Sequence, residues 1–510
     1  MAITADSFGD FEWEGIQSPL KLSRLNHGGK LVTGSATALV ARDDSYHLRC
    51  EVQGFSDHPF KPQLEVQKLR STDFAFSGNG DACLTTLSRC FIKAMDNAID
   101  CDSGTYRNNT FTLKIHTDLV EQRAHGNWTE SAHTDWFLNG PHRCIFTRSS
   151  ARDRSHTYSR KIDNLAGYQF QATQESGGGS ADAIVVSLPV FSFVVRGVPE
   201  GFEPEWARKV AIDYSKKISA IPSEETRDAI AEFVGFVFGT RLISIGDTTF
   251  GENDIPFLRR SWNPQGINIR TLCSSMDFPP FPVDRTQNRN ILDIEWLLKT
   301  LTPRYLKLRR LLDLDHALLR YWTFQEMPLG VNLPMLVNGL EILASAWYSS
   351  EFSASKGRFV SGKFFNELLE QDFESIRAKL TKVANSEAPT YGLGDAKSVD
   401  VLMRRLRDSF LMGWSARMNQ FFVELGLDLT EEEKLALKAR NEQTHAFADA
   451  AETHKLWKYG ELLRTLFHKV VLRILDYSGD FLDYAEQFPA PKKLSPAQEH
   501  NDAYRHVIYK

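Results

Sequence analysis

The ten residues Lys438-Ala-Arg440-Asn441-Glu-Gln-Thr-His445-Ala-Phe447 bring together three side chains suited to proton transfer at a phosphodiester. An imidazole titrates near neutral pH and can take or return the proton of a ribose 2′-hydroxyl or of a leaving oxygen. A guanidinium stays charged, and its planar fork holds two phosphate oxygens while negative charge builds up on them. His445 and Arg440 supply these two types, and Asn441 can orient the imidazole or a phosphate oxygen. Chemistry of this kind needs no metal ion and no other cofactor.

The segment falls within a helical pattern that opens at Thr430-Glu-Glu-Glu433, a capping box that satisfies orphan amides at a helix N-terminus. At about 100° per residue, Asn441 and His445 share one face, whereas Arg440 and His445 are about 140° apart. A long Arg side chain reaching round the helix, a local distortion, or a second copy of the motif across a dimer axis would bring them together, and the dimer is the preferred solution. Similar Arg-to-His spacings occur at Arg42 to His47, which reads as a hairpin tip, and from Arg309 and Arg310 to His316, which reads as a solvated basic helix face.

The elements around the motif divide the chain. Residues up to about 280 read mainly as strands and turns, with β-branched and aromatic residues between Gly, Asn and Asp clusters. Helices are expected near Glu203 to Ile218 and Ser223 to Gly239, followed by a strand-like stretch from Arg241 to Phe250. The Gly177-Gly-Gly-Ser180 stretch lacks phosphate-loop spacing and reads as a flexible turn. From about residue 288 to the end at 510, apolar residues recur with helical period over Ile291 to Leu301, Pro303 to Phe324, Leu333 to Tyr348, Phe359 to Val383, Val399 to Leu425, Thr430 to His454 and Leu456 to Tyr477. Pro303 marks a first turn, Gly426 a helix end, and Asn385 to Lys397 a loop. The expectation is an α+β chain, a β-rich domain over 1–280 followed by an all-α domain over 288–510.

The motif resembles the Arg-polar-x-x-x-His signature of the HEPN ribonuclease superfamily, matched by Arg440, Asn441 and His445 in a late helix of a helical domain. Leu336-Val-Asn-Gly-Leu-Glu341-Ile-Leu resembles the early HEPN helix, and Leu462 to Gly479 looks like the helix closing the domain in ApeA-like anti-phage proteins. The order of a β-rich half before a helical half is similar to the ApeA arrangement. The resemblance implies a HEPN-like ribonuclease domain that cuts RNA, possible substrates including tRNA, without metal as a homodimer, leaving 2′,3′-cyclic phosphate ends. It further implies a cytoplasmic abortive-infection toxin with an N-terminal sensor or restraint and a phage-derived protein as trigger. The alternative is a non-catalytic HEPN-like dimerisation module whose β-rich half recognises a protein or glycan.

Glu442 and the acids Glu431 to Glu433 make the motif helix less cationic than an RNA cleft requires, and Lys438, Arg404, Arg405, Arg407 and Arg417 are the residues that would offset this. Overall, 60 Lys and Arg against 65 Asp and Glu leave a charge of −5, so no global positive field holds a long polyanion. The start has no basic n-region or apolar core, and no apolar run reaches membrane-spanning length; the sequons at Asn108 and Asn127 therefore carry no weight. Six scattered cysteines without a Cys-x-x-Cys pair suggest reduced thiols rather than a disulfide scaffold. His125, His133, Asp135, His142 and Cys144 are too irregularly spaced for a zinc site, while Trp128, Trp136 and Phe137 read as sheet core or partner surface. His454 and His468 read as structural, and no Gly-x-Ser-x-Gly elbow is present.

Overall fold

The computed structural model describes residues 20–22, 24–27, 36–56, 72–77, 83–99, 109–143, 145–148, 155–161, 169–175, 181–198, 206–252, 255–266, 268–285, 291–358, 364–386, 396–408, 412–439, 450–486 and 489–494. The chain divides into two compact units, Met1–Pro279 with Val283–Thr300 and Pro280–Pro282 with Leu301–Lys510. Antiparallel strands dominate residues 36–262, and residues 294–474 are mainly helical.

In the first unit the strands are β1 (Leu20–Leu22), β2 (Arg24–His27), β3 (Ala36–Arg42), β4 (Leu48–Ser56), β5 (Thr72–Ser77), β6 (Cys83–Ile99), β7 (Asn109–His116), β8 (Leu119–Ala124) and β9 (Ala132–Leu138). A separate hairpin, β10 (Ser155–Lys161) with β11 (Gln169–Glu175), precedes β12 (Ala183–Ser187), β13 (Ser192–Gly197) and β14 (Val210–Ser215). Helix α1 (Glu224–Phe238), strands β15 (Ile243–Phe250) and β16 (Pro256–Trp262) and helix α2 (Ile269–Ser274) complete it. The main sheet runs β1-β3-β4-β7-β6-β8-β16-β15-β9-β14-β13-β12. Its long strand β6 serves two neighbours along this order, Cys83 to Ser88 pairing with β8 and Phe91 to Ile99 with β7, and it also pairs with β5 from Leu84 to Cys90. Arg89, with φ of 53°, turns the chain between these halves. On either side of it, Leu87 and Cys90 enter one apolar core with Val40, Leu48, Val52 and Ile115.

Alternation explains where the expected helix over Glu203 to Ile218 gives way to a strand. Val210, Ile212 and Tyr214 are buried beside Ala211, and β14 fills its place between β9 and β13 with period two. Helix α1 forms as its ends dictate. The Ser223 side chain accepts from the Thr226 amide, and Gly239 closes the helix at φ 76°. A Cβ on Gly239 would lie 1.9 Å from the Pro279 nitrogen, so only glycine fits. The edge strand β12 is covered: the Glu295 carboxylate accepts from the Val185 amide, the Thr147 hydroxyl and both arms of Arg148.

The helices that follow are α3 (Ile294–Leu308), α4 (Leu314–Glu326) and α5 (Leu333–Ser349). A π-helical turn (Phe365–Leu369) leads into α6 (Glu370–Ser386), and α7 (Ala396–Asp408), α8 (Trp414–Glu424), α9 (Glu431–Lys438) and α10 (Ala450–Ile474) follow. Pro303 sits inside α3 rather than in a first turn. It removes one backbone donor there, while the chain turns later, at Arg309 to Asp313, where Asp313 adopts φ 50°. The expected helix over Val399 to Leu425 is two helices, because the Met412 amide leaves the helical ladder and donates to the Gly357 carbonyl. His454 and Leu456 lie within the single helix α10, so the expected boundary between them is absent. The region is not wholly helical either. Strands β17 (Asp480–Asp483) and β18 (Ala490–Lys493) pair antiparallel after α10.

The middle of α10 is the spine of the helical core. Leu463, Leu466, Phe467, Val470 and Val471 are fully buried, and Phe467 stacks on Tyr321 at 4.9 Å. Tyr321 bonds the buried His468 at 2.8 Å, and burial holds that imidazole well below its ordinary pKa, with the Arg464 charge adding to the effect. His468 is thus a neutral core residue. No helix among the described residues is long and apolar enough to cross a membrane.

Candidate functional site

Arg440, Asn441 and His445 lie outside the described residues, as do Glu442 and Cys144. The helices that lead to and from the motif are described. Helix α9 begins with the capping box expected from the sequence: the Thr430 hydroxyl accepts from the Glu433 amide, and the Glu433 carboxylate accepts from the Thr430 amide at 2.8 Å. The same carboxylate takes a second role that the sequence did not announce. Its other oxygen receives Lys469 Nζ of α10 at 2.6 Å, with both side chains largely withdrawn from water. Glu432 pairs with Lys458 at 2.7 Å. The helix is therefore fastened to α10 through two lysines eleven positions apart, and it ends at buried Ala439, one residue before Arg440.

The other basic residues distribute unevenly. Lys438, Arg404 and Arg405 are exposed. Arg417 stands over the Tyr348 ring at 5.1 Å, so part of its cationic surface is used within the fold. The side chain of Arg407 lies outside the described residues. Arg309 and Arg310 both reach Asp315, while His454 is exposed beside Trp457. Glu341, in the stretch that resembles an early HEPN helix, accepts from the indole of Trp414.

A second cluster of ionisable groups lies in the β-rich unit, and it gathers only part of the set His125, His133, Asp135, His142 and Cys144. Strand β9 projects His133 and Asp135 to one face, where β15 places Thr249 opposite His133 and Asp247 opposite Asp135. His133 Nε2 lies 3.1 Å from Asp135 and 3.9 Å from Asp247, and its Nδ1 meets the Thr249 hydroxyl at 3.2 Å and Glu130 at 3.6 Å. Arg227, in the first turn of α1, donates to Asp135 at 3.1 Å, and Arg260 of β16 donates to Asp247 at 3.0 Å. Burial disfavours the imidazolium, but Asp135 and Glu130 outweigh it and raise His133 to about 9. Burial also raises the Asp247 carboxyl above its ordinary value, against the pull of Arg260.

The coordinating atoms of His133, Asp135 and Asp247 lie within 4.8 Å of one another, close enough to surround a cation. Two guanidiniums already occupy that role, one on each carboxylate, which makes the group a salt-bridge network. His142 stands elsewhere, on Asp277 at 3.1 Å, and His125 is exposed. Trp136 is buried and donates to Thr248, Phe137 is buried, and Trp128 stacks on Phe257 at 5.9 Å. Asp247, Arg227 and Arg260 were missed in the sequence. Their signal was charge in otherwise apolar strands and at a helix start, which spacing rules for metal sites do not capture.

No protein-family model, curated protein or solved structure matches the chain.

Proposed function

We propose that this protein is a metal-independent endoribonuclease, with Arg440 stabilising charge on the phosphate, His445 moving the proton and Asn441 orienting one of them. The observation that carries the reading is the Arg-Asn-x-x-x-His motif following directly on a capped helix in a mainly helical region. The Glu433–Lys469 pair supports it, since catalysis by positioning needs a rigid mount for the reacting groups. Two copies of the motif, one from each protomer of a homodimer, line the cleft, and the β-rich unit restrains or triggers the activity. By resemblance to ApeA-like proteins, the role is abortive infection set off by a phage-derived protein, with cellular RNA as substrate.

The test incubates purified protein with total RNA in EDTA, alongside Arg440→Ala and His445→Ala, and maps the new ends. The same three proteins are expressed in cells with and without phage challenge. Cleavage to 2′,3′-cyclic phosphates by wild type alone supports the nuclease. Equal behaviour of three folded proteins in both settings refutes it, and loss of dimerisation without loss of any activity points to the non-catalytic module.

A further inference from the structure

The network beneath α1 has a charge balance that its geometry makes explicit. Around His133 stand three carboxylates, Glu130 from the turn before β9, Asp135 from β9 and Asp247 from β15. Against them stand two guanidiniums, Arg227 from α1 and Arg260 from β16. Two outer groups join the rim and cancel each other: Lys216 lies 3.9 Å from Glu130, and Glu224 lies 3.6 Å from Arg260. Tyr214 of β14, opposite His133 in the sheet register, stays protonated because burial pushes its phenol up. With or without the rim, these groups sum to one negative charge, with Asp228 near Tyr214 and Glu121 near Arg260 adding to the negative side. His133 and Asp247 are buried and Asp135 nearly so, Glu130 is 35% exposed, and carboxylates this close to an imidazole favour its charged form.

We infer that the His133 imidazolium is a resident cation of this fold, a bound proton that closes the charge balance and locks the first turn of α1 onto β9 and β15. Both ring nitrogens then donate, Nε2 to Asp135 and Nδ1 to the Thr249 hydroxyl, with the Glu130 carboxylate 3.6 Å from Nδ1 as an ion-pair partner. A neutral imidazole would donate from one nitrogen only and would offset none of the charge on Asp135 and Glu130. Arg227 would then hold Asp135 without a second positive charge beside it, and the link between the helix and the sheet would weaken at its N-terminal end.

The experiment measures thermal unfolding of the full chain from pH 6 to 10 for wild type, Glu130→Gln, His133→Gln and the double variant His133→Gln/Glu130→Gln. The inference expects a wild-type transition that falls as the pH rises toward and past 9, and a His133→Gln transition that is already low at pH 7 and does not follow this course. It also expects the double variant to melt above His133→Gln, because removing one carboxylate restores neutrality, although Glu130→Gln alone brings no gain. Packing loss alone would not reverse the sign of the Glu130 substitution. A wild-type transition flat over this range overturns the inference, as does a double variant no more stable than His133→Gln. Should His133→Gln fail to fold, the wild-type scan and rescue of soluble protein by Glu130→Gln decide the matter.

Discussion

Lys469→Met separates the mount of α9 from the motif beyond it. In the wild type Lys469 Nζ lies 2.6 Å from Glu433 Oε1, and the two side chains are 16% and 5% exposed. Removing one partner of a buried pair costs about 3–5 kcal/mol, since the remaining charge is stranded. Glu433 keeps two donors from Thr430, its amide at 2.8 Å and its hydroxyl at 3.1 Å, which places the cost at the lower end, about 3 kcal/mol. Glu433→Gln preserves the capping geometry and strands Lys469 instead, at about 2–3 kcal/mol. The double variant removes both charges and costs about 1 kcal/mol, as paired replacements of buried ions do. At about 2–4 °C per kcal/mol for a unit of this size, Lys469→Met lowers the melting temperature by about 6–12 °C, and adding Glu433→Gln recovers most of it. Denaturant unfolding of all four proteins gives the coupling energy, and RNA cleavage below the transition gives the activity. If the two single losses simply add in the double variant, the sites are uncoupled and α9 is held by something other than this pair.

Other outcomes follow from the same physics. Gly239→Ala forces a Cβ into the Pro279 backbone at positive φ and costs at least about 3 kcal/mol, read as a fall in denaturation midpoint. Glu295 is held at about 2, chiefly by Arg148, against an ordinary 4.5; its contribution is therefore present above pH 4.5 and lost as the pH falls toward 2, and Glu295→Gln should flatten the stability profile in that window. His133 behaves in the opposite sense: its stabilisation is complete below pH 6.5 and disappears as the pH rises through about 9, a span worth about 3 kcal/mol. Arg440→Ala and His445→Ala should each reduce RNA cleavage by at least about 100-fold, measured as initial rates in EDTA.

Period and capping made much of the fold legible. Thr430-Glu-Glu-Glu433 announced the start of α9, and Ser223 and Gly239 bracketed α1. The misreadings share a cause. In Val210 to Ser215 the short apolar stretch Val210-Ala-Ile212 with Tyr214 also fits a helix, and only its neighbours β9 and β13 decide between them. Pro303 lies within α3, where the surrounding packing overrides the local preference for a break. The proposed motif at Arg440 to His445 is a reading of residue types at short range and lies outside the described residues. The ionic network of Glu130, His133, Asp135, Arg227, Asp247 and Arg260 was invisible because its members come from four separate segments and meet through strand register and the packing of α1 on the sheet.

Strand β6 gives the β-rich unit a further property. Because one uninterrupted stretch, Cys83 to Ile99, supplies a partner to β8 at one end and to β7 at the other, neither pairing can be lost without disturbing a strand that the other needs. Leu87 and Cys90 bury their side chains in a common core across the Arg89 corner, so a slip at the corner would unpack both halves together. Amide exchange should therefore report a single opening event across β6, β7 and β8, with matched protection on both sides of Arg89. Two halves of a sheet sewn by one strand melt as one.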